Sequence, residues 1–343
     1  MRRRKSEIFD IYVTTGAGNT VGGGSDVWVN NWLELIPKHL DVKPILLIDN
    51  FRFQGFEESS IPIEHIFYNE RPDESKRLLQ ECRKIHFLHN HYTKRPHLWK
   101  YRFKFESIAV HAYAREIVNS YKELGFSRDS VPFLWNVEWQ DELIGQCKTK
   151  YWVGSQKGMV NDIFNDCITI PNYYEFIWNK DYFHSNVVGF AARAETRKAI
   201  HFLENVRSNA FTSSSGVKIW EKNTRMKFNK TKIIEYRPEL TDEYYLSDLF
   251  GVFHGAYVKE PFGYSIFQSV DAGKLPIIAK GWCPEFNYPY RASTKEEFES
   301  TVKQIQSTGK ETRENIFKSA KAYLMKYDNK PYWVEQMKNI YNE

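Results

Sequence analysis

At 343 residues the chain exceeds what one hydrophobic core comfortably organises, so two domains of roughly 100–200 residues each are expected. It is 42% hydrophobic and 27% charged, as an ordinary folded soluble protein is, and no apolar run approaches the ~20 residues needed to span a bilayer. The net charge of +5 favours an anionic partner, such as nucleic acid, phospholipid or a sugar nucleotide, without choosing among them.

The opening MRRRK begins like the basic region of a signal peptide, but Glu7 and Asp10 interrupt any apolar segment behind it. A cytoplasmic protein is therefore expected. Residues 8–14 then read as a short buried strand, and the glycine loop GAGNTVGGGSD follows. Val29, Trp32, Leu33 and Ile36 recur at helical spacing until Pro37 stops the run. Further strands are predicted at 42–50, 84–90 and 108–114, the last feeding a helix through Tyr121, and at 150–155 and 167–172 around a helical 156–166. Strands alternating with helices predict a parallel sheet covered on both faces.

The pattern restarts after 173–186. Strands are predicted at 187–192, 232–238, 250–256 and 275–279, with helices over 197–207, 241–249 and 294–306. Thr294 and Glu297 have capping-box spacing, and two more helical runs end the chain. The fold class read from this order is α/β, two doubly wound Rossmann-like units. Ligands of such sheets bind beyond the carboxyl ends of the strands, so two facing sheets would share one cleft.

The four cysteines, Cys82, Cys147, Cys167 and Cys283, form no Cys-x-x-Cys pair and read as reduced core thiols. His89, His91 and His97 have loop-like spacing, which suits an acceptor-side loop or plain surface histidines better than a metal site. No Asp-x-Asp occurs.

Three stretches carry the chemistry. The glycine loop between a strand and a helix lets backbone approach a phosphate at a helix N-terminus. A dinucleotide fingerprint begins at Gly16 and Gly18 but has Val21 where its third glycine belongs, with Asp49 closing the second strand. In GFAARAETRK, Arg193 and Lys198 stand where one diphosphate could meet both. In EPFGYSIFQSVDAGKLPII, Glu260 heads a turn just beyond a strand, and Gly273 and Pro276 let the next loop and strand lie close behind.

Together, in this order and over nearly the whole chain, these stretches resemble the retaining glycosyltransferases of the GT-B fold, family 4 in particular. The resemblance implies an N-terminal acceptor-side domain over 1–178 and a nucleotide-sugar-binding domain over 179–325. A final helix over 326–343 has a return to the N-terminal domain as one option. It implies that Glu260 holds donor-sugar hydroxyls, that Arg193 and Lys198 neutralise the leaving diphosphate, and that His111 hydrogen-bonds the sugar. Gly22, Gly23 and Gly24 would touch the phosphates or sugar, as would the backbone of Phe262, Gly263 and Tyr264. One position departs from the family: Gln268 stands where a second Glu usually grips the ribose, and an amide is a neutral, weaker acceptor. The resemblance implies no cofactor and no metal, only a nucleotide-sugar donor, UDP-linked by preference.

For the acceptor, TKRPHLWKYRFKF alternates cations with rings, which predicts an edge strand with one basic and one aromatic face. Lys94, Arg95, Trp99, Lys100 and Arg102 are the acceptor candidates. The length and basic N-terminus also resemble, more weakly, phage DNA glucosyltransferases acting on hydroxymethylated bases, for which the location would be the host cytoplasm. Double-stranded DNA is preferred over a polysaccharide, lipid-linked or protein acceptor, with peripheral membrane contact still open. Two readings of other classes remain: a nucleotide-sugar-binding protein without turnover, and an NAD-dependent oxidoreductase.

Overall fold

A computed structural model describes residues 8–15, 24–49, 61–89, 95–123, 136–154, 163–192, 198–212, 214–235, 249–252 and 262–342. The chain divides into two compact units. One comprises Met1–Arg115, Asp129–Asn172 and Lys330–Glu343; the other comprises Glu116–Arg128 and Tyr173–Asn329.

The first unit is built on seven parallel strands: β1 (Phe9–Thr14), β2 (Lys43–Ile48), β3 (His65–Phe67), β4 (Ile85–Phe87), β5 (Phe105–Val110), β6 (Thr149–Val153) and β7 (Cys167–Ile170). Their spatial order is β3-β2-β1-β4-β5-β6-β7, with the winding reversing between β1 and β4. All six residues of β1 are buried, as expected of a central strand covered on both faces. Helix α1 (Gly24–Leu35) buries Trp28, Val29, Trp32 and Leu33, and Pro37 opens a separate 3-10 turn, as the spacing predicts. The sequence reading passed over β3 and helix α2 (Pro72–Glu81), half of whose residues are charged. The C-terminal helix Lys330–Tyr341 belongs to this unit. Its Trp333 meets Trp28 edge-on, and its Tyr341 hydroxyl hydrogen-bonds Tyr151.

The second unit has five parallel strands: β8 (Val188–Ala191), β9 (Ser208–Phe211), β10 (Thr231–Ile234), β11 (Leu249–Val252) and β12 (Leu275–Ile277). Their order, β10-β9-β8-β11-β12, repeats the winding of the first sheet's opening five strands. Pro276 sits in edge strand β12, where its missing N–H costs least.

Two sequence expectations are corrected. The helix expected over 197–207 is a four-residue 3-10 turn, Ile200–Leu203, because Ala199 takes a left-handed φ of 57° that an α-helix cannot include. The edge strand expected over 93–105 is instead a helical turn, Pro96–Trp99, then a 3-10 turn, Arg102–Lys104. Pro96 opens that first turn, where its fixed φ is already helical, and extended structure begins only at Phe105. The helices expected over 156–166 and 241–249 lie mostly outside the described residues.

Candidate functional site

Carboxyl ends of neighbouring central strands are where doubly wound sheets bind ligands. In the first unit β1 and β4 are such neighbours. Beyond β1 comes the glycine loop; Gly22 and Gly23 lie outside the described residues, and Gly24 is the first residue of α1. Beyond β4 and β5 stand His89 and His111, whose rings stack at 5.4 Å, with Trp28 of α1 edge-on to His111 at 5.0 Å. Burial pushes the His89 imidazole down to about 4, and burial, with His89 beside it, drives His111 well below its ordinary value. Both rings are therefore neutral at neutral pH. His111 Nε2 lies 3.3 Å from the Leu88 carbonyl, so Nε2 carries the proton and donates.

Asp49, which kept a dinucleotide reading alive, is buried at the end of β2. One oxygen is 2.6 Å from Arg95 Nε and the other 3.3 Å from His97 Nε2. His97 in turn stacks on Tyr68 at 4.0 Å. This acid anchors the 95–104 segment.

The acceptor candidates do not share one face. Lys94 lies outside the described residues. Arg95 is engaged by Asp49, and Trp99 packs on Trp139 (5.0 Å) and Phe105 (6.0 Å). Lys100 and Arg102 are exposed.

In the second unit β8 and β11 are the central neighbours. Arg193 and Glu260, which follow these strands in the chain, lie outside the described residues. Lys198 is described and half-buried. It precedes the left-handed Ala199, so the regular helix start expected beside it is absent.

Phe262, Gly263, Tyr264 and Gln268 are brought together at the start of helix Tyr264–Asp271. The Phe262 ring is buried, stacked on Phe267 at 4.3 Å and 11°, which fixes its backbone. Gly263 caps the helix with φ 76°, a conformation that favours glycine. Tyr264 and Gln268 stand one turn apart on the same helix face, both half-buried.

The far end of this helix holds a residue that the sequence reading missed. Asp271, 0% exposed, accepts from the Tyr174 hydroxyl (3.0 Å) and from the backbone N–H groups of Ile177 (3.1 Å), Trp178 (3.3 Å) and Asn179 (2.6 Å). Gly273 has φ 77°, and a Cβ there would lie 2.0 Å from the Asp181 carbonyl oxygen. The close approach foreseen for Gly273 is thus made by residues 180–183, with Phe183 N–H donating to its carbonyl. The available signal was an acid in the otherwise apolar run SVDAG.

Among the described residues no cluster of three or more His, Cys, Asp or Glu side chains could hold a metal ion, and no helix is long and apolar enough to cross a membrane. All four cysteines are buried, and none forms a disulfide.

No protein-family model matches the sequence, and no curated protein is significantly similar to it. Solved structures are similar over nearly its whole length. HepE of Anabaena in complex with UDP-glucose is 14% identical at a TM-score of 0.65, over 97% of this chain and 99% of that one. An alpha-glucosyltransferase in complex with UDP-glucose and DNA containing an abasic site is 10% identical at 0.61, over 98% and 99%. Trehalose-6-phosphate synthase of E. coli, bound with UDP-2-fluoro glucose, is 10% identical at 0.59, over 97% and 99%. The chain has the GT-B fold that its sequence motifs implied.

Proposed function

We propose that the chain is a metal-independent, retaining glycosyltransferase that moves a sugar from a UDP-linked donor to a hydroxyl, and that the acceptor is a hydroxymethylated pyrimidine in DNA. The transferase reading is carried by the full-length likeness of both sheets to GT-B structures that hold UDP-glucose or its analogue. The DNA reading is supported by the neighbours that hold DNA, one with a 13-mer containing an HMU base, and by the net charge of +5. HepE and trehalose-6-phosphate synthase share the fold, so the acceptor rests on the surface of this chain and not on its architecture.

In this reading Arg193 and Lys198 meet the diphosphate as the bond from its oxygen to the anomeric carbon breaks. Fixed cations stabilise that departing charge in the role a metal plays elsewhere. Glu260 orients donor hydroxyls, and Gly22, Gly23 and Gly24 bring α1 to the phosphates or sugar. The backbone of Phe262, Gly263 and Tyr264 approaches the donor from the turn that Gly263 permits. Gln268 hydrogen-bonds the ribose as a neutral group. Neutral His111 hydrogen-bonds the donor sugar. The acceptor oxygen bonds the anomeric carbon on the face the diphosphate leaves, and its proton passes to a diphosphate oxygen. Asp49, engaged by Arg95 and His97, disfavours the NAD-dependent alternative.

The test is incubation with a panel of nucleotide sugars and DNA containing hydroxymethylated pyrimidines, read by nucleoside mass spectrometry. Glu260→Gln and Arg193→Ala are each expected to lower kcat by about 10²–10³ with the fold intact. Near-wild-type rates in both would overturn the site. Glycosylated oligosaccharide or lipid alongside unchanged nucleosides would replace the acceptor, and donor binding without any turnover would leave a binding protein.

A further inference from the structure

The described cations of the first unit are almost all compensated. Arg83 pairs with Asp10, Lys84 and Lys148 with Glu106, Arg95 with Asp49, Arg115 with Asp141 and Lys150 with Asp166. Lys43, Arg71, Lys76, Arg77, Lys330 and Lys338 each face a carboxylate as well. Lys104 Nζ donates to the carbonyls of Leu79 (3.1 Å), Gln80 (2.6 Å) and Cys82 (2.7 Å) at the end of α2, so its charge serves that helix terminus. Besides Lys104, the described cations of this unit without a carboxylate are Lys38, Lys100 and Arg102. Two of the three lie within one short turn. Between them and Lys104 stands Phe103, 74% exposed, the most exposed described aromatic ring of the protein.

The turn that carries them is fixed from beneath. Leu98 is buried, and Trp99 packs on Trp139 and Phe105. Arg95 and His97 hold Asp49, and the Tyr101 hydroxyl donates to the Lys76 carbonyl at 3.4 Å. Arg102 makes one long contact, 3.5 Å from Nη1 to the Trp99 carbonyl, and keeps its remaining donors outward. Anchored side chains therefore alternate with displayed ones on a segment of two helical turns. A displayed ring between cations, on a support that does not have to be ordered on binding, suits a ligand with phosphates and an exposed base.

We infer that Lys100, Arg102 and Phe103 form the DNA-contacting surface of this chain, with the two cations on backbone phosphates and the Phe103 ring against an unstacked base. Arg95 and Trp99 position the surface without belonging to it. The inference rests on the DNA reading above and deepens it by naming which side chains meet the acceptor.

The experiment compares wild type, Lys100→Ala/Arg102→Ala, Phe103→Ala and, as a charge control, Lys38→Ala. Binding to hydroxymethylated duplex DNA is measured at several salt concentrations, alongside transfer to that DNA and donor hydrolysis without acceptor. The double variant is expected to lower the slope of log K against log salt by about 2, one per lost phosphate contact, and to raise KM for DNA. Phe103→Ala is expected to weaken DNA binding about tenfold with an unchanged salt slope. Donor hydrolysis should be unaltered throughout, which separates a contact surface from a misfolded protein. DNA binding and salt slope that stay at wild type in both variants, or that fall equally in Lys38→Ala, overturn the surface while the DNA reading stands. A wild-type protein that leaves every DNA unmodified while glycosylating another acceptor overturns both.

Discussion

Asp10 in the first unit and Asp271 in the second are comparably buried, at 1% and 0% exposed, yet different partners hold them. Arg83 donates to both Asp10 oxygens at 3.0 and 2.6 Å, the Lys84 N–H adds a bond at 3.0 Å, and His86 lies 3.8 Å away. Burial raises the Asp10 carboxyl, but the neighbouring His86 ring and the hydrogen bonds from Arg83 outweigh it and set the group below its usual value. Asp271 is held by one tyrosine hydroxyl and three main-chain N–H groups of residues 177–179. A side chain such as Arg83, 40% exposed, can turn to water when its partner is lost, whereas a main-chain donor inside a fixed loop cannot. Two sheets of the same winding thus place their buried acids under different penalties.

The largest effect follows from that difference. Asp271→Ala empties a fully buried carboxylate site, takes the acceptor from three main-chain N–H groups and a hydroxyl, and is expected to cost the second unit about 3–4 kcal/mol. Asp10→Asn should cost about 2 kcal/mol or less in the first, because Arg83 can be resolvated. Urea unfolding of both variants measures the contrast, and equal losses would break it.

Acid sharpens the comparison, because each unit also holds a histidine whose imidazole is largely desolvated. Burial holds His89 at about 4, and burial together with the Lys295 charge does the same to His201. These folded values lie below the unfolded ~6.5. As pH falls below 6.5 the unfolded chain takes up protons that the folded one refuses, so stability declines between about 6.5 and 4 and levels off below. His89→Gln should flatten the decline in the first unit and His201→Gln in the second, read from unfolding midpoints at pH 4–7. A decline unchanged in both variants would locate the acid sensitivity elsewhere.

What could be read from the sequence follows from how local each signal is. The strands 8–14, 42–50 and 150–155 each centre on a short apolar run, and burial on both faces of a parallel sheet leaves that trace directly in the residues. Helix α2 is half charged along PDESKRLLQE and buries only Ser75, Leu78 and Leu79, too narrow an apolar stripe to stand out. The segment 93–105 misled because its ring–cation alternation has period two. Yet Trp99 faces Trp139, some forty residues on, and Lys104 reaches the end of α2; neither partner is visible locally. The motif around Phe262–Gly263 was legible because a turn constrains adjacent residues. Asp271 was not, because its partners lie more than ninety residues upstream.

The smallest expected effect tests a device written wholly in adjacent residues. Thr294 Oγ1 accepts from the Glu297 N–H at 3.2 Å at the start of helix Lys295–Ser307, and the Glu297 carboxylate accepts from the Ser293 N–H at 2.9 Å. This is a capping box displaced by one residue on its returning bond. Glu297 also reaches Lys280, and hydrogen bonds from Lys280 and the Ser293 N–H hold its carboxyl below the usual value. Thr294→Ala removes one acceptor from an exposed helix end, where water can replace it, so the loss is expected near 1 kcal/mol. Thr294→Ser should recover most of it by restoring the hydroxyl. Both are read by urea unfolding of the second unit beside Asp271→Ala. If Thr294→Ala matched Asp271→Ala in cost, the premise that solvent access sets the penalty for a lost acceptor would be wrong for this protein.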